Sequence, residues 1–144
     1  MQSKYRDICN ALIIDAREDL KAAKVLMEKG IFSKSVFHSQ QAVEKFLKSV
    51  LALNSIIITD EHKVSDKFSL LFSRFNSLDK VAEEAKYLER HGLKSRYPLF
   101  GDPIRPIWIP SEEYKREDSE KALKKARFVE EKIINFLKEK YNIQ

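Results

Sequence analysis

The chain has 144 residues, of which 43% are hydrophobic and 34% are charged, and its net charge at pH 7 is +5. This length and apolar content predict one domain over residues 1–144 with a core of its own, and they exclude a disordered protein. One cysteine excludes a disulfide framework, and no run approaches the roughly 18 apolar residues of a membrane helix, so we expect a cytoplasmic protein.

Two long amphipathic helices are predicted in the first third of the chain. The first runs from about Lys4 to Lys29 and ends at Gly30, a residue type favoured just after a helix. Its apolar residues recur every three or four positions: Ile8, Leu12, Ala16, Leu20, Ala23 and Met27. The second runs from about Ser33 to Leu53. Because only a short turn separates them, these helices are expected to pack as an antiparallel hairpin.

The apolar stripe of the second helix comprises Val36, Val43, Leu47 and Val50, with Phe46 and Leu51 on its flanks. After it, the run 56–58 is too short to found a sheet and is expected to close one end of the bundle. A short helix fits Asp66 to Phe75, and another fits Leu78 to about Leu93. Their inward residues are expected to be Phe68, Leu71 and Phe72 in the former and Val81, Ala85 and Leu88 in the latter.

The segment from Pro98 to Pro110 cannot be regular helix, because proline lacks the backbone N–H and restricts its neighbours. Its bulky side chains predict an ordered arm that packs on the bundle: Phe100, Ile104, Ile107, Trp108 and Ile109. A last helix is expected from Ser111, as N-cap, to about Tyr141. The predicted fold is therefore an all-α, up-and-down antiparallel bundle of four to five helices, with an ordered proline-containing arm before the last helix.

The second helix also carries a polar row in which Gln41, Glu44 and Lys48 share a narrow arc. One interpretation is an exposed face with a Glu44–Lys48 pair, worth a few tenths of a kcal/mol. The other is the polar edge of a groove, where Lys48 meets a phosphate and Gln41 hydrogen-bonds a ligand. Spacing alone favours the exposed face.

A basic cluster lies where the fourth predicted helix ends before Pro98, and it contains Arg90, His91, Lys94, Arg96 and Tyr97. Cations at a helix C-terminus are stabilised by the helix dipole, which explains the cluster without any function. The same residues suit an anionic partner such as a nucleotide or RNA, with Arg96 gripping a phosphate and Tyr97 stacking on a base. Arg105 and Trp108 could extend that surface.

Familiar catalytic patterns are absent from the sequence, which has no Gly-rich phosphate loop, metalloprotease helix motif or nucleophile elbow. The three histidines His38, His62 and His91 do not show metal-ligand spacing, so neither a metal nor a cofactor is expected.

Across nearly its whole length, the chain resembles the HEPN domain, the nucleotide-binding helical module of higher eukaryotes and prokaryotes. The matching residues are Asp19-Leu20 and Ala23, Gln40-Gln41-Ala42-Val43-Glu44-Lys45 and Lys48, His62 ahead of Leu70-Leu71, Ser95-Arg96-Tyr97-Pro98, and Ala122 and Ala126. The resemblance implies a helical bundle that commonly forms a homodimer. It also implies frequent partnership with a minimal nucleotidyltransferase in toxin–antitoxin or stress systems.

The family offers two roles, which are binding nucleotides and cleaving RNA without a metal. Its RNA-cleaving members resemble one another in an arginine, four to six intervening residues and then a histidine. No arginine stands at that distance here, and only Lys86 precedes His91 by the required interval. Lysine does not replace the bidentate grip of arginine on a phosphate.

The resemblance therefore favours a nucleotide- or RNA-phosphate-binding module over an enzyme. Its expected contact residues are Gln41, Glu44, Lys48, Arg90, Arg96 and Tyr97. The first alternative is a metal-independent endoribonuclease that uses His91 together with Arg90 or Arg96. The second alternative is a protein–protein adaptor whose arm docks a partner.

Overall fold

The computed structural model describes residues 2–58 and 64–143, with side chains from residue 4 onward. Its helices are α1 (Gln2–Glu28), α2 (Phe32–Leu53), α3 (Val64–Phe72), α4 (Val81–Glu89), α5 (Pro110–Glu113) and α6 (Arg116–Tyr141). A 3₁₀ turn spans Asn76–Leu78. The described residues form no strand beyond one isolated antiparallel bridge, so the predicted all-α class is confirmed. None of their helices is long and apolar enough to cross a membrane.

The turn between α1 and α2 is built on Gly30, whose φ of +79° lies in the left-handed region that glycine adopts without strain. Its N–H bonds to the Met27 carbonyl at 3.1 Å, and the next N–H returns to Leu26 at 2.8 Å. These bonds close the end of α1 and reverse the chain within three residues. The helices therefore pair along their length as the predicted hairpin.

The buried face of α1 differs from the predicted stripe in its first half. Cys9 and Ile13 are buried there, whereas Ile8 and Leu12 are only half-buried. A stripe remains on one side of a helix when steps of three and four residues alternate, and successive four-residue steps drift around it. Cys9 and Ile13 continue that alternation back from Ala16, and the predicted positions do not.

The second helix is the central element, since it contacts α1, α3, α4, α5 and α6. Its predicted apolar residues are all buried, as are five apolar residues that recur at helical spacing along α6: Ala122, Ala126, Val129, Ile133 and Leu137. Ile56 and Ile58 pack against the same core and close one end of the bundle, as predicted.

Two short helices end earlier than predicted. The third ends at Phe72 instead of Phe75, and Leu78 lies in the 3₁₀ turn instead of starting a helix. Phe68 and Phe72, two of the residues predicted to face inward from α3, are buried. The fourth helix ends at Glu89, because the following N–H groups bond three residues back, as in the 3.1 Å bond from Gly92 to Glu89.

The start of the last helix is also corrected. Ser111 does not cap it, because Pro110–Glu113 is a separate single turn. Tyr114 then takes an extended conformation with ψ of 133° and buries its ring, which interrupts the helix. The last helix begins at Arg116, after the Lys115 N–H donates to the Asp118 carboxylate at 2.8 Å.

The arm is ordered, but it packs on the bundle only in part. Leu99 and Trp108 form the isolated bridge, and the Trp108 indole packs against the core while its Nε1 donates to the Lys94 carbonyl at 2.8 Å. Phe100, Ile104 and Ile107 are exposed instead, Ile104 to 91%. The bridge brings the two ends of the arm together and leaves its tip in solvent.

Candidate functional site

The second helix presents a polar face formed by Lys34, His38, Gln41, Lys45 and Lys48. These positions are three or four residues apart, so they fall within roughly a quarter of the helix circumference. Phe37 lies on α2 at one edge of this face. This surface, called here the polar face of α2, overlaps the predicted row at Gln41 and Lys48 but also contains three residues that the sequence analysis did not select.

An ion-pair network joins the polar face of α2 to α1. The His38 ring lies with its Nδ1 2.9 Å from one oxygen of Asp19, and the Lys45 ammonium lies 2.5 Å from the other. The same ammonium contacts Asp15 at 2.6 Å. Burial pulls the pKa of Lys45 down, but its hydrogen bonds to the two carboxylates outweigh burial and raise that pKa overall.

Arg96 lies against the other side of the polar face of α2. Its guanidinium carbon lies 5.3 Å from the centre of the Phe37 ring and 4.8 Å from that of Tyr97. The Lys34 ammonium donates to the Arg96 carbonyl at 3.0 Å. The structure thus places Arg96, from the basic cluster, against the second helix. The sequence alone did not connect the cluster with that helix.

The turn before Arg96 packs directly on α2. A Cβ at Gly92 would lie 3.6 Å from the side-chain amide of Gln40. That amide oxygen accepts a hydrogen bond of 2.9 Å from Gln41. The turn that leads to Arg96 and Tyr97 therefore packs on Gln40, the residue to which Gln41 is hydrogen-bonded.

Glu44 and Lys48 lie farther along α2, toward its C-terminus. The Lys48 side chain is only 14% exposed, and its ammonium lies 3.8 Å from Glu44. The predicted Glu44–Lys48 pair is therefore present, but the Glu44 side chain is also only 17% exposed, so this part of the row is mostly covered. His62 lies outside the described residues.

His91 lies in a separate aromatic and basic cluster. Its Nδ1 is 2.8 Å from the Tyr114 hydroxyl, and its ring lies 5.1 Å from that of Tyr87. Burial lowers the pKa of His91, and the charge of Lys94 lowers it further. Two more cations add to this effect, Arg90 and Lys121, while Asp118 opposes it.

Lys86 and Arg96 contact residues outside the His91 cluster. Lys86, at the interval where the RNA-cleaving relatives have arginine, pairs with Asp66 at 3.0 Å. Arg96 lies against Phe37 and Tyr97, and Arg90 lies over the Tyr87 ring at 5.7 Å. Of these, only Arg90 belongs to the His91 cluster.

The lowered pKa of His91 predicts a loss of stability in mild acid. The unfolded chain, with a histidine pKa near 6.5, takes up a proton before the folded chain does. As the pH decreases from 6.5 to the lower pKa of folded His91, the free energy of unfolding should therefore decrease, by at most about 1.4 kcal/mol per pH unit. Urea unfolding of the wild type and His91→Asn across this range measures the effect. An equally steep dependence in both would contradict it.

The network around Asp19 was missed because its partners lie on two helices. A cross-helix signal was available, since Asp15 and Asp19 are four residues apart on α1 and His38 and Lys45 share a face of α2. Groups of three acidic, histidine or cysteine side chains suited to a metal ion do not occur within residues 4–58 and 64–143.

Known proteins provide a comparison for the whole chain. A family model described as HEPN domain matches residues 9–140. The protein named "Putative toxin MJ1304", from Methanocaldococcus jannaschii, is 42% identical over 138 residues that cover 90% of this chain and 88% of that protein.

Two solved structures share the fold. TT1696 from Thermus thermophilus superposes with a TM-score of 0.73 at 24% identity, covering 88% of this chain and 96% of the other. ST0689, described as an archaeal HEPN homologue, gives a TM-score of 0.66 at 23% identity and covers 88% and 95%.

Proposed function

This chain belongs to the HEPN domain family, and on that premise we propose that it binds nucleotide or RNA phosphate at Arg96. The observation that carries the proposal is the position of the Arg96 guanidinium, exposed and stacked on two aromatic rings. None of the ion pairs within residues 4–58 and 64–143 involves Arg96. Its charge is therefore available to an anion.

The chemistry of the surface suits a nucleotide. The guanidinium of Arg96 contacts the two aromatic rings and is exposed, and a guanidinium can form bidentate bonds to phosphate oxygens. Tyr97 is exposed beside it and offers a ring on which a base can stack. Lys34 adds a second positive charge one turn before His38. Lys48 is better assigned to the bundle, because its side chain is mostly covered.

The proposal extends to a partner. The description of the M. jannaschii relative as a toxin supports a toxin–antitoxin system, in which this chain, as a homodimer in the cytoplasm, would act with a minimal nucleotidyltransferase. Exposure of Phe100, Ile104 and Ile107 favours the arm as a protein-docking surface, which is the second candidate role. An endoribonuclease centred on His91 has less support, since Lys86 and Arg96 point to other partners.

Replacement of Arg96 by alanine is expected to weaken RNA binding about tenfold to a hundredfold, since a hydrogen bond to a charged group contributes about 1.5–3 kcal/mol. The slope of log affinity against log salt should fall by about one. Fluorescence anisotropy with a labelled single-stranded RNA in EDTA measures both quantities.

The matched control is Arg127→Ala, which removes an exposed arginine from α6. That arginine lies well around the helix from Lys121, the α6 residue near His91. Its loss should leave affinity within about twofold of wild type, apart from the small effect of net charge. Unchanged affinity in Arg96→Ala, or no binding of RNA and ATP by the wild type, would reject the proposed function.

A further inference from the structure

Positively charged side chains converge on the Tyr87 ring, where α4 packs on α6. The Arg90 guanidinium carbon lies 5.7 Å from the ring centre, and the ammonium nitrogens of Lys121 and Lys125 lie 4.8 and 4.7 Å from it. Lys125 is neutralised by Glu84 at 2.6 Å. Arg90 and Lys121 are exposed, and neither belongs to an ion pair in the part of the chain that the structure describes. Two positive charges at this ring are therefore not balanced by an ion pair there.

The same two cations act on His91, whose ring centre lies 5.1 Å from that of Tyr87. Lys94 is a third cation that acts on this ring, and within residues 4–58 and 64–143 it also lacks an ion pair. The opposing negative charge is Asp118, whose carboxylate already accepts a bond from the Lys115 N–H. Three positive charges and one negative leave a net charge of +2 around the neutral ring. Like charges that gather without an anion destabilise the folded chain, so this cluster favours a bound anion.

The hydrogen bond to Tyr114 allows His91 to change its charge without moving. A hydroxyl can donate to Nδ1 of the neutral ring, and it can accept from the same nitrogen once the ring is protonated. Burial raises the pKa of Tyr114 to about 12, so the hydroxyl keeps its own proton in both cases. Nε2 has no hydrogen-bond partner among the described residues, and the side chain is only half-buried. This nitrogen is therefore free to donate to a ligand.

We propose that the cations around His91 form a second anion site, which binds a terminal phosphate group as its dianion. Its residues are Arg90, His91, Lys94 and Lys121. The net charge of +2 matches the two negative charges of a terminal phosphate, whereas an internal phosphodiester carries only one. A guanidinium can grip two phosphate oxygens, and the lysines add point charges. The inference goes beyond the proposed function, because this site does not use Arg96, and it concerns binding alone.

Binding of a dianion should be linked to a proton on His91. Burial, and then the nearby cations, hold the pKa of His91 below its usual value. A dianion among the cations would offset their charge and stabilise the imidazolium, so this pKa should rise on binding. The complex should therefore take up a proton, and the affinity for the anion should increase as the pH decreases through the range of that pKa.

The test follows the imidazole resonances of the full chain by NMR across pH while sodium sulfate is added. Sulfate is a dianion throughout this range and does not titrate, so a change in pKa belongs to the protein. Potassium chloride keeps the ionic strength constant, because screening alone would weaken the effect of the cations. The pKa of His91 is expected to rise saturably, by about one pH unit. The pKa of His38, which contacts Asp19, should change little. His91→Asn identifies the resonance.

A double variant removes two of the three cations by combining Arg90→Ala with Lys121→Ala. Sulfate binding should weaken at least about tenfold. Without sulfate, the pKa of His91 should be higher than in the wild type, because less positive charge acts on the ring. This second effect shows that the variant is folded around His91. The matched control, Arg127→Ala, removes an exposed arginine of α6 and should change the affinity less than about twofold.

Competition experiments in the Arg96→Ala chain distinguish the sources of a terminal phosphate. Inorganic phosphate, AMP and an RNA oligomer with a 5′-phosphate should each displace sulfate, and the most effective of the three identifies the source. The same RNA with a 5′-hydroxyl lacks the dianion, so it should compete at least about tenfold less well than the phosphorylated strand.

The outcomes separate this site from the proposed function. A pKa of His91 that does not respond to sulfate, or that changes as much as that of His38, would overturn the inference and leave the proposed function intact. Equal competition by the 5′-phosphate and 5′-hydroxyl strands would also overturn it, because the site would then bind internal phosphates. RNA affinity that is unchanged in Arg96→Ala would instead reject the proposed function without affecting this site.

Discussion

Replacing Phe46 with alanine is expected to lower the free energy of unfolding by about 3–5 kcal/mol. Phe46 is 0% exposed and lies on the helix that contacts five others. Truncation removes the ring from a close-packed interior and leaves a cavity. A loss of this size is a large share of the roughly 5–15 kcal/mol that stabilises a typical domain.

Urea unfolding followed by circular dichroism measures this loss, with Leu70→Ala as the matched control. Leu70 also lies on a helix but is 80% exposed, so its truncation should change the free energy of unfolding by less than about 0.5 kcal/mol. Equal effects of the two substitutions would contradict the central position assigned to α2.

The long helices were predictable because their signals are local. Gly30 marks the turn by its backbone freedom, and it ends α1 within a residue of the predicted position. The apolar spacing of α2 and α6 reports directly which side of each helix is buried. Where spacing was ambiguous, at Ile8 and Leu12 of α1, the neighbouring helices decided which side turned inward.

The start of α6 could not be predicted from local signals. Ser111 followed by two glutamates is a good helix start, and the chain does form a turn there. The turn stops because Tyr114 reaches a buried position next to His91, a contact between residues 23 apart. Burial of one large ring outweighs continuation of a single helical turn.

The candidate site was also predictable where the signal is local and not where it depends on contacts distant in sequence. The helical spacing on α2 was sufficient to point to Gln41, and the cluster before Pro98 was sufficient to point to Arg96 and Tyr97. The sequence did not show that Phe37 is the residue at which these two surfaces meet. Nor did it show that Asp19 reaches His38, because that pairing depends on the register between α1 and α2. Register is set by core packing along the whole hairpin.

Replacing Asp19 with alanine is expected to lower the free energy of unfolding by about 2–3 kcal/mol. The substitution removes two charge-assisted hydrogen bonds, of which a single one contributes about 1.5–3 kcal/mol. The two contributions do not add in full, because both bonds end on one carboxylate and Lys45 keeps its contact with Asp15. The full cost of an unpaired buried charge is therefore avoided. Urea unfolding at neutral pH measures the loss.

A double-mutant cycle with Lys45→Met shows whether Asp19 is coupled to this network or contributes separately. Methionine keeps much of the aliphatic stem of Lys45 and removes its charge. If the two side chains stabilise each other, the double variant should be less destabilised than the sum of the singles, by about 0.5–3 kcal/mol. Strict additivity would show that Lys45 does not hold Asp19.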